Sequence, residues 1–419
     1  MSEFKAAVEI SRKWDGTEVA NEITQRFKDK NLNPKFILLF TTIHYESEFE
    51  KILSGIKKEY PDAPLVGGTV AGFMTQDGCY TRGVTALTID YPNMDVSVGV
   101  GHNTKKNPGK AVKECFSNFK KFEDADQFYI EIVSGAIIPK FPKIGRQNVI
   151  KSKTAGETSI KLLPLMSRLN MGADRADEIL REIVACNPNS KLVGITCMDD
   201  RKFANNYQFF NNEILENALC LLKIHCDLRF ELNTSFGLVK KPADSVVVDL
   251  NPDGRVVKKI NGKTAVEALY DIVGIDQENL RMVDRFYSQS FYYPFGYYKN
   301  DFLNPCILAG VLGEKIYFAS QVEETKLDLF QLTGKQIIKS TEELIGSFDN
   351  NILLNLLIMC ETYIETLGDY IYKIHDMIKT RTQNPFLVVF ASGESINYGD
   401  GKPHYLYESL NSLAIREKN

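Results

Sequence analysis

No Cys-x-x-Cys pair occurs in the 419-residue chain, and no two of its five histidines lie four positions apart. Structural zinc sites usually draw their ligands from closely spaced pairs of these residues. The eight cysteines are scattered instead, at positions 79, 115, 186, 197, 220, 226, 306 and 360. We therefore expect no metal site, and free thiols in a reducing compartment, either the cytoplasm or the nucleus.

Long apolar runs and an excess of basic charge are also missing. The longest apolar run, 352–360, is interrupted by Asn355 and falls far short of the roughly 20 residues that a membrane helix needs. The first residues, Met1–Lys5, are already polar, which predicts that no signal peptide opens the chain. A net charge of −4 argues against general binding to duplex DNA. We expect neither a membrane nor a specific duplex DNA sequence as a partner.

Signatures of catalysis are absent too. Gly67, Gly68 and Gly72 do not form a Gly-x-Gly-x-x-Gly sequence, and no Walker lysine follows them, so nucleotide binding has little support. No acid–base pair, metal set or cofactor loop stands out elsewhere. The sequence therefore predicts a protein that is not an enzyme, with no catalytic residues and no cofactor.

Three stretches, which we call the repeat stretches, share one pattern: an apolar strand that runs into small residues. Each follows a helical run and a turn that contains Pro or Asn, residues that end helices and favour turns. The repeat stretches are Leu65–Phe73, Leu192–Asp200 and Phe386–Glu394. Their starts are 127 and 194 residues apart, which is not the spacing of a short-period solenoid. An ancient duplication and a chance likeness between buried strands both stay open.

This pattern predicts an α/β fold with mixed sheets flanked by helices and repeated helix–turn–strand units. A chain of 419 residues is too long for one ordinary core. We place a boundary within 236–243, which gives two domains, residues 1–238 and 239–419. Strands at 83–90 and 94–100 are expected to pair with each other, and strands at 205–210 and 218–224 to form a hairpin.

The small residues at the ends of the repeat stretches leave backbone N–H groups accessible. In α/β folds such strand ends usually bind ligands. We predict a common cleft near Gly68, Asp199 and Glu394. The candidate contacts are Gly67, Gly68, Thr69, Cys197, Asp199, Gly393 and Glu394.

Several of these candidates have an alternative structural role. Cys197 is either a nucleophile, which needs a base within reach, or a small core residue. Asp199 either fixes a ligand amine or caps a neighbouring turn. Glu394 is the best single carboxylate for a ligand contact, and its alternative is a solvated turn residue.

An aromatic stretch covers residues 286–302. Aromatic rings interleaved with basic residues either anchor a partner or pack in a core. Ser288, Pro294 and Gly296 make a regular strand hard to build, so we expect a loop. In this loop, at least two of the rings of Tyr292, Tyr293, Tyr297 and Tyr298 should be partly exposed. The candidate partner contacts are Tyr292, Tyr293, Tyr297, Tyr298 and Lys299.

Five segments, in this order, resemble the FIST family, in which a FIST N-terminal domain precedes a FIST C-terminal domain. The family's sequences are Gly-x-x-Thr-Ala-Gly, Gly-Gly-x-Ala-x-Asp, Asp-Gly-x-x-Ala, Phe-x-x-Gly-Glu and a short polar sequence before the last strand. Their counterparts here are Gly67–Gly72, Gly194–Asp199, Ile260–Ala265, Phe390–Glu394 and Tyr407–Leu410. The resemblance implies a stand-alone FIST pair, without a kinase or an F-box.

FIST domains are regarded as non-catalytic sensory modules for small ligands such as amino acids. The resemblance thus implies a regulatory, signal-transducing binding protein, with Ser409 as a further ligand contact. Some bacterial members resemble haem-binding sensors, and His102 is the best haem-ligand candidate here. The competing hypothesis is a docking factor with a vestigial cleft, bound to a ubiquitin ligase or to a ribosome or another ribonucleoprotein.

Overall fold

A computed structural model describes residues 3–120, 122, 127–141, 145–242, 245–273, 291–349 and 351–418. The fold contains three similar units of strands and helices, which we number in chain order.

Unit 1 shows how the sequence builds an outer helix over a strand. The Asp15 carboxylate accepts hydrogen bonds from the N–H groups of Thr17 and Glu18 and so caps a helix that begins at Gly16. Unit 1 consists of β1 (Lys5–Ser11), α1 (Gly16–Asp29), β2 (Phe36–Thr41), α2 (Phe49–Glu59), β3 (Leu65–Thr69), β4 (Gly72–Thr75), β5 (Gly78–Tyr80) and β6 (Val84–Asp90).

Unit 2 has the same order of elements, with one insertion between its second strand and its second helix. The insertion contains three two-residue strands and one helix. Unit 2 consists of β7 (Met94–His102), α3 (Pro108–Ser117), β8 (Gln127–Val133), the inserted β9 (Lys140–Phe141), β10 (Gly145–Arg146), β11 (Val149–Ile150) and α4 (Lys153–Arg168), then α5 (Ala176–Cys186), β12 (Lys191–Thr196), β13 (Gln208–Phe210), β14 (Glu213–Leu215) and β15 (Ala218–Cys226).

Unit 3 carries a much larger insertion directly after its first strand. The first strand is β16 (Leu228–Phe236). The insertion consists of β17 (Leu238–Lys240), β18 (Val246–Leu250), β19 (Val256–Ile260), β20 (Lys263–Thr264), α6 (Ala265–Val273), β21 (Phe295–Lys299), β22 (Phe302–Cys306), β23 (Leu308–Leu312), β24 (Lys315–Phe318) and β25 (Lys326–Leu332). The unit then resumes with α7 (Gly334–Ile345), β26 (Ile352–Cys360), α8 (Thr362–Leu367), α9 (Ile371–Arg381), β27 (Phe386–Ala391), β28 (Glu394–Tyr398), β29 (His404–Leu406) and β30 (Ser409–Glu417).

The three units form three six-stranded sheets of identical topology. Their orders are β1-β6-β2-β3-β13-β14, β7-β15-β8-β12-β28-β29 and β16-β30-β26-β27-β4-β5. In each sheet the two central strands are parallel and the other pairs are antiparallel. The hairpin that follows each repeat stretch leaves its own unit and completes the sheet of another unit. No unit therefore has a complete sheet by itself.

A ring of three backbone hydrogen bonds joins the ends of the repeat stretches. Ala71 N donates to Phe390 O at 3.1 Å, Met198 N to Thr69 O at 3.0 Å, and Ser392 N to Thr196 O at 3.2 Å. Each bond runs from one unit to the next, so the ring closes. The equivalent positions favour a true repeat over a chance likeness, and the unequal spacing follows from the two insertions.

One core lies between the three sheets, and the helices cover their outer faces. A valine from each repeat stretch contributes to this core: Val66, Val193 and Val389. Alternate strand residues face outward and pack against α1 and α2 in unit 1, α3 and α5 in unit 2, and α7 to α9 in unit 3. None of the helices in the described part of the chain has both the length and the apolar character needed to cross a membrane.

The insertion of unit 3 forms a separate sheet with its own apolar cluster. Its strand order is β11-β23-β24-β19-β18-β25-β21-β22, with β17 on β25 and β20 on β19. The cluster packs α6 against this sheet. Since β11 belongs to the insertion of unit 2, the two insertions are joined through the parallel pair β11 and β23.

The α/β class, the mixed sheets flanked by helices and the repeated helix–turn–strand units are confirmed. The predicted pairing of 83–90 with 94–100 is wrong, because β6 closes unit 1 against β1 and β2 while β7 opens unit 2. The predicted hairpin partner 218–224 is also wrong, because β13 pairs with the shorter β14 and β15 pairs with β7 and β8. The two-domain division at residue 238 stays a prediction.

Replacing Gly67 by alanine should destabilise the fold. A Cβ atom at Gly67 would lie 1.7 Å from the carbonyl oxygen of Leu39 on the parallel neighbour β2. We expect Gly67→Ala to lower the free energy of unfolding in urea by about 1–3 kcal/mol or more. Gly334→Ala is the control, since its Cβ would be no closer than 3.4 Å to any heavy atom outside its own helix and chain neighbours. Equal stabilities of the two variants would contradict this packing.

Candidate functional site

The fold brings together the repeat-stretch residues that the sequence singled out, but it packs them without space for a ligand. A Cβ atom on Gly68 would lie 2.5 Å from Cys197 Sγ. Thr196 N donates to Gly393 O at 3.1 Å, and Thr69 is fully buried beside them. Burial raises the pKa of the Cys197 thiol to about 12, so the thiol is neutral at pH 7. These residues, together with buried Gly67, form a packed junction.

Asp199 organises the loop that follows β12. Its carboxylate accepts hydrogen bonds from the N–H groups of Phe203 at 2.9 Å, Ala204 at 2.7 Å and Asn205 at 3.3 Å. Three donors on one carboxylate are typical of a cap, which is the second of the two roles considered for this residue.

Glu394 is fully buried, so it is not a solvated turn residue. Its Oε2 accepts a hydrogen bond from Ser409 Oγ at 2.8 Å. Burial raises the pKa of the carboxyl well above its ordinary value. The structure thus pairs Glu394 with Ser409, and a ligand role for either residue stays a prediction.

A cavity of about 200 Å³ lies beside this junction, between unit 3 and the two insertions. Its walls are apolar and come from the 136–139 loop, α4 and β23; they include Ile137, Leu163, Met166 and Leu308. Its polar residues include Asp174, Glu361, Thr362, Ser392, Tyr407 and Glu408. Ser392 and Glu408 are the chain neighbours of the predicted Gly393 and Ser409. The predicted Gly393 and Ser409 therefore each lie one residue away from the cavity lining, and their ligand role stays a prediction.

Glu408 is the unusual member of this lining. Its backbone has a φ of 52°, in the left-handed region that residues other than glycine rarely adopt. Its side chain is fully buried, and Thr362 Oγ1 donates to its Oε2 at 2.5 Å. Among the described residues, Oε1 of Glu408 has no hydrogen-bond partner. Burial raises the pKa of this carboxyl to about 8.

The other two acids of the cavity are already engaged. The Arg201 guanidinium forms an ion pair with Glu361. Asp174 Oδ1 accepts a hydrogen bond from Ala176 N at 3.0 Å at the start of α5, and burial raises the pKa of Asp174 to about 6. Glu408 therefore offers the unmet acceptor.

Helix α4 covers the cavity. Its inner face carries Ser159, Leu163 and Met166, which line the cavity and recur at helical spacing. Only Gly156, near its first turn, is fully buried, against the backbone of Leu312 and the following turn. Gly156 thus anchors the first turn of the helix, and Leu163 and Met166 face the cavity with apolar side chains.

A buried lysine in unit 2 is a second feature that the sequence analysis missed. Lys105 is fully buried, and its ammonium group donates to Ser134 Oγ at 2.8 Å and to Asn217 Oδ1 at 2.5 Å. Burial lowers the pKa of Lys105 to about 8. No sequence signal marked this lysine, because the charged run around it reads as a solvated loop.

The aromatic stretch forms a hairpin over its described part, so the prediction of a loop is wrong for 295–299. Pro294 stands before β21, where its missing N–H group is not needed, and β21 pairs fully with β22. Tyr298 is 52% exposed, Tyr292 and Tyr293 are half-buried, and Tyr297 is buried. The expected exposure of at least two rings is confirmed; a partner role stays a prediction. The segment 286–290 lies outside the described residues.

His102 lies at the end of β7, away from the cavity lining. Its ring atom Nδ1 is hydrogen-bonded to Glu114 Oε1 at 2.8 Å, and its backbone N–H group donates to Oε2 of the same carboxylate at 3.1 Å. Over the part of the chain that the structure describes, no three His, Cys, Asp or Glu side chains are grouped closely enough to hold a metal ion.

Removing the Glu408 carboxyl should weaken the pH dependence of stability. Its pKa rises from the ordinary 4.5 to about 8 on folding, so its contribution is complete below about pH 4.5 and is lost as the pH rises to about 8. We expect urea unfolding of Glu408→Gln to change less than that of the wild type between these pH values. Asp174, whose pKa is also raised by burial, contributes part of the pH dependence of stability in both proteins. Identical pH profiles would mean that Glu408 titrates as it does in water.

Comparison with known proteins places these features in a family. A cyanuric acid hydrolase from A. caulinodans aligns over 100% of both chains at 7% identity with a TM-score of 0.34. A second structure, described as a cyanuric acid hydrolase produced by structural concatenation, aligns over 56% of this chain and 72% of its own at 8% identity with a TM-score of 0.26. Likenesses this weak carry no functional conclusion.

No curated protein matches the sequence. The model of the FIST N domain matches residues 35–263, more than half of the chain, and the protein therefore belongs to the FIST family of sensory, ligand-binding domains.

Proposed function

We propose that this protein is a non-catalytic regulatory module that binds a small ligand in the cavity beneath α4. The observation that carries the proposal is the combination of apolar walls with one buried carboxyl oxygen, Oε1 of Glu408, that has no partner among the described residues. Ligand pockets are usually apolar and contain a few polar groups that fix orientation.

The energetic cost of Glu408 supports a binding role. A buried polar atom without a partner costs about 1–3 kcal/mol, and a left-handed backbone at a residue other than glycine adds to that cost. Such costs concentrate at binding sites, where a ligand supplies the missing contact. The cavity is also placed where α/β folds bind ligands, because the lining residues Glu361 and Ser392 directly follow the parallel strands β26 and β27.

In this proposal, a ligand enters the cavity when α4 moves away from it. The helix is anchored near Gly156, and the turn after its last residue is tied to unit 2 by the hydrogen bond from Asn170 Nδ2 to Asn103 Oδ1 at 2.8 Å. Displacement of its distal end would open the site without disturbing the three sheets. We place the protein in the cytoplasm or nucleus, where its eight unpaired thiols would stay reduced.

A tryptophan on the inner face of α4 should block the site. Leu163 lines the cavity, whereas Leu165 on the opposite face is 50% exposed. We expect small molecules retained by the purified wild type, detected by mass spectrometry after denaturation, to be lost from Leu163→Trp and kept by Leu165→Trp. Equal retention by all three proteins would remove the cavity as the ligand site.

The docking hypothesis keeps one specific observation in its favour. Tyr298 and Lys299 are exposed at the end of the β21–β22 hairpin, where a partner can reach them. Lys299 also forms an ion pair with Glu323. In this second proposal the hairpin contacts a ribosome or another ribonucleoprotein, or a ubiquitin ligase.

Sedimentation with purified ribosomes tests the ribosomal version of docking. We expect Tyr298→Ala to reduce co-sedimentation, since exposed aromatic residues at interfaces often carry much of the binding energy. Tyr372→Ala is the matched control, because Tyr372 is 53% exposed on α9, far along the chain. Wild-type protein that stays at the top of the gradient would exclude this version.

A further inference from the structure

We infer that the ligand of the cavity is a small apolar amine without a carboxylate, held with its ammonium group on Glu408 and its hydrocarbon part beneath α4. This inference rests on the proposed function. It differs from the amino-acid ligand that the family resemblance implies, and three observations on the cavity lead to it.

The first observation is a comparison between two equivalent turns. Strands β15 and β30 each pair over nine residues with the first strand of their unit, so that Ala218 lies opposite His102 as Ser409 lies opposite Phe236. Asn217 and Glu408 are the residues immediately before these strands. Their φ angles are 51° and 52°. The two side chains therefore leave the backbone at the same place in the repeat.

In unit 2 this position binds an alkylammonium group that the protein itself supplies. Asn217 Oδ1 accepts a hydrogen bond from Lys105 Nζ, which lies three residues beyond the end of β7. In unit 3 the residue three positions beyond β16 is Val239, which is 45% exposed on β17. The chain departs into the insertion there, so no lysine of that loop reaches Glu408.

The second observation is the charge of the lining. None of the described residues that line the cavity is Lys, Arg or His, whereas three are acids. A ligand carboxylate would lie near Glu361 and Asp174 without a cation to pair with, and like charges in a poorly hydrated site repel strongly. An ammonium group would instead be attracted to every acid of the lining. The lining therefore favours an amine over a zwitterionic amino acid.

The third observation is the distribution of polar atoms. Two acceptors of the lining lack a partner among the described residues, Oε1 of Glu408 and Oδ1 of Asn148, while α4 and the 136–139 loop supply aliphatic groups. A ligand that donates to Glu408 and fills the space beneath α4 has one polar end and one hydrocarbon end. An ammonium group has only donors, which suits a carboxylate acceptor.

Binding should also release a proton. Burial without a cation keeps Glu408 protonated at neutral pH in the free protein, and a bound ammonium would favour its carboxylate form. The groups that face Glu408 are Cys360 at the end of β26, Thr362 and Tyr363 from α8, the ion pair of Glu361 with Arg201, and Glu394 from β28. Of these, only Arg201 is cationic, and its guanidinium is paired with Glu361.

The decisive probes are isopentylamine, leucine and 3-methylbutan-1-ol, which share one hydrocarbon part. We expect isothermal titration of the full-length protein at pH 7 to show at least tenfold tighter binding of the amine than of leucine or the alcohol. Glu408→Gln should weaken amine binding at least tenfold. Glu131→Gln is the matched control, since Glu131 in β8 is equally buried but does not line the cavity, and it should bind the amine as the wild type does.

Titrations of the wild type in two buffers of different ionisation enthalpy measure the number of protons released on binding, and they need no variant. We expect release of about one proton per amine bound at pH 7. Leucine binding as tightly as the amine would overturn the inference and leave the cavity as a ligand site. Absence of amine binding, or binding without proton release, would overturn it too. Retention of cellular ligands by Leu163→Trp would instead defeat the proposed function itself.

Discussion

The ring of three hydrogen bonds between the repeat stretches is the constraint on which the rest of the molecule depends. Each bond joins the backbone of two units, and a buried N–H or C=O group left without a partner would be costly. The ring therefore forms only when all three units are folded. The exchanged hairpins reinforce this dependence, since each unit completes its sheet with strands from another unit. We expect the three units to unfold together.

Closing the ring also determines where a ligand can bind. The strand ends that usually form a ligand site in α/β folds are here used to hold the units together, as the contact of Gly68 with Cys197 shows. A cavity lies to one side of the junction, where the insertions of units 2 and 3 lean over the turn at Glu408. The walls of the cavity thus come from the parts of the chain that break the repeat.

The repeating part of this architecture could be predicted from the sequence because it is local. The strands β3, β12 and β27 are continuous apolar runs bounded by turn residues, and α1 and α5 show clear helical spacing. The exchange of hairpins could not be predicted, because the choice between strand edges depends on contacts far apart in the chain. For the same reason, Tyr91–Asn93 looked like a hairpin turn although it connects two units.

The site was predicted only in part, for a different reason. Small residues identify where backbones approach closely, so Gly67, Gly68 and Gly393 pointed to the junction. A cavity forms where side chains from distant parts of the chain leave space between them, and no local sequence pattern predicts that space. Glu408 lay within the Tyr407–Leu410 segment of the family resemblance but was not predicted as a contact, because a left-handed φ and an unmet oxygen appear only once β29 and β30 are in place.

The two equivalent turns suggest how a ligand would act on the protein. In unit 2 the position is satisfied internally, since Asn217 and Lys105 bond to each other and stabilise the fold in all conditions. In unit 3 the same position would be met by the proposed ligand, and its binding would add to the stability of the folded state by mass action. Glu408 stands directly before β30, which pairs with β16 and β26. In this proposal, unit 3 is therefore the part of the repeat that would respond to a ligand.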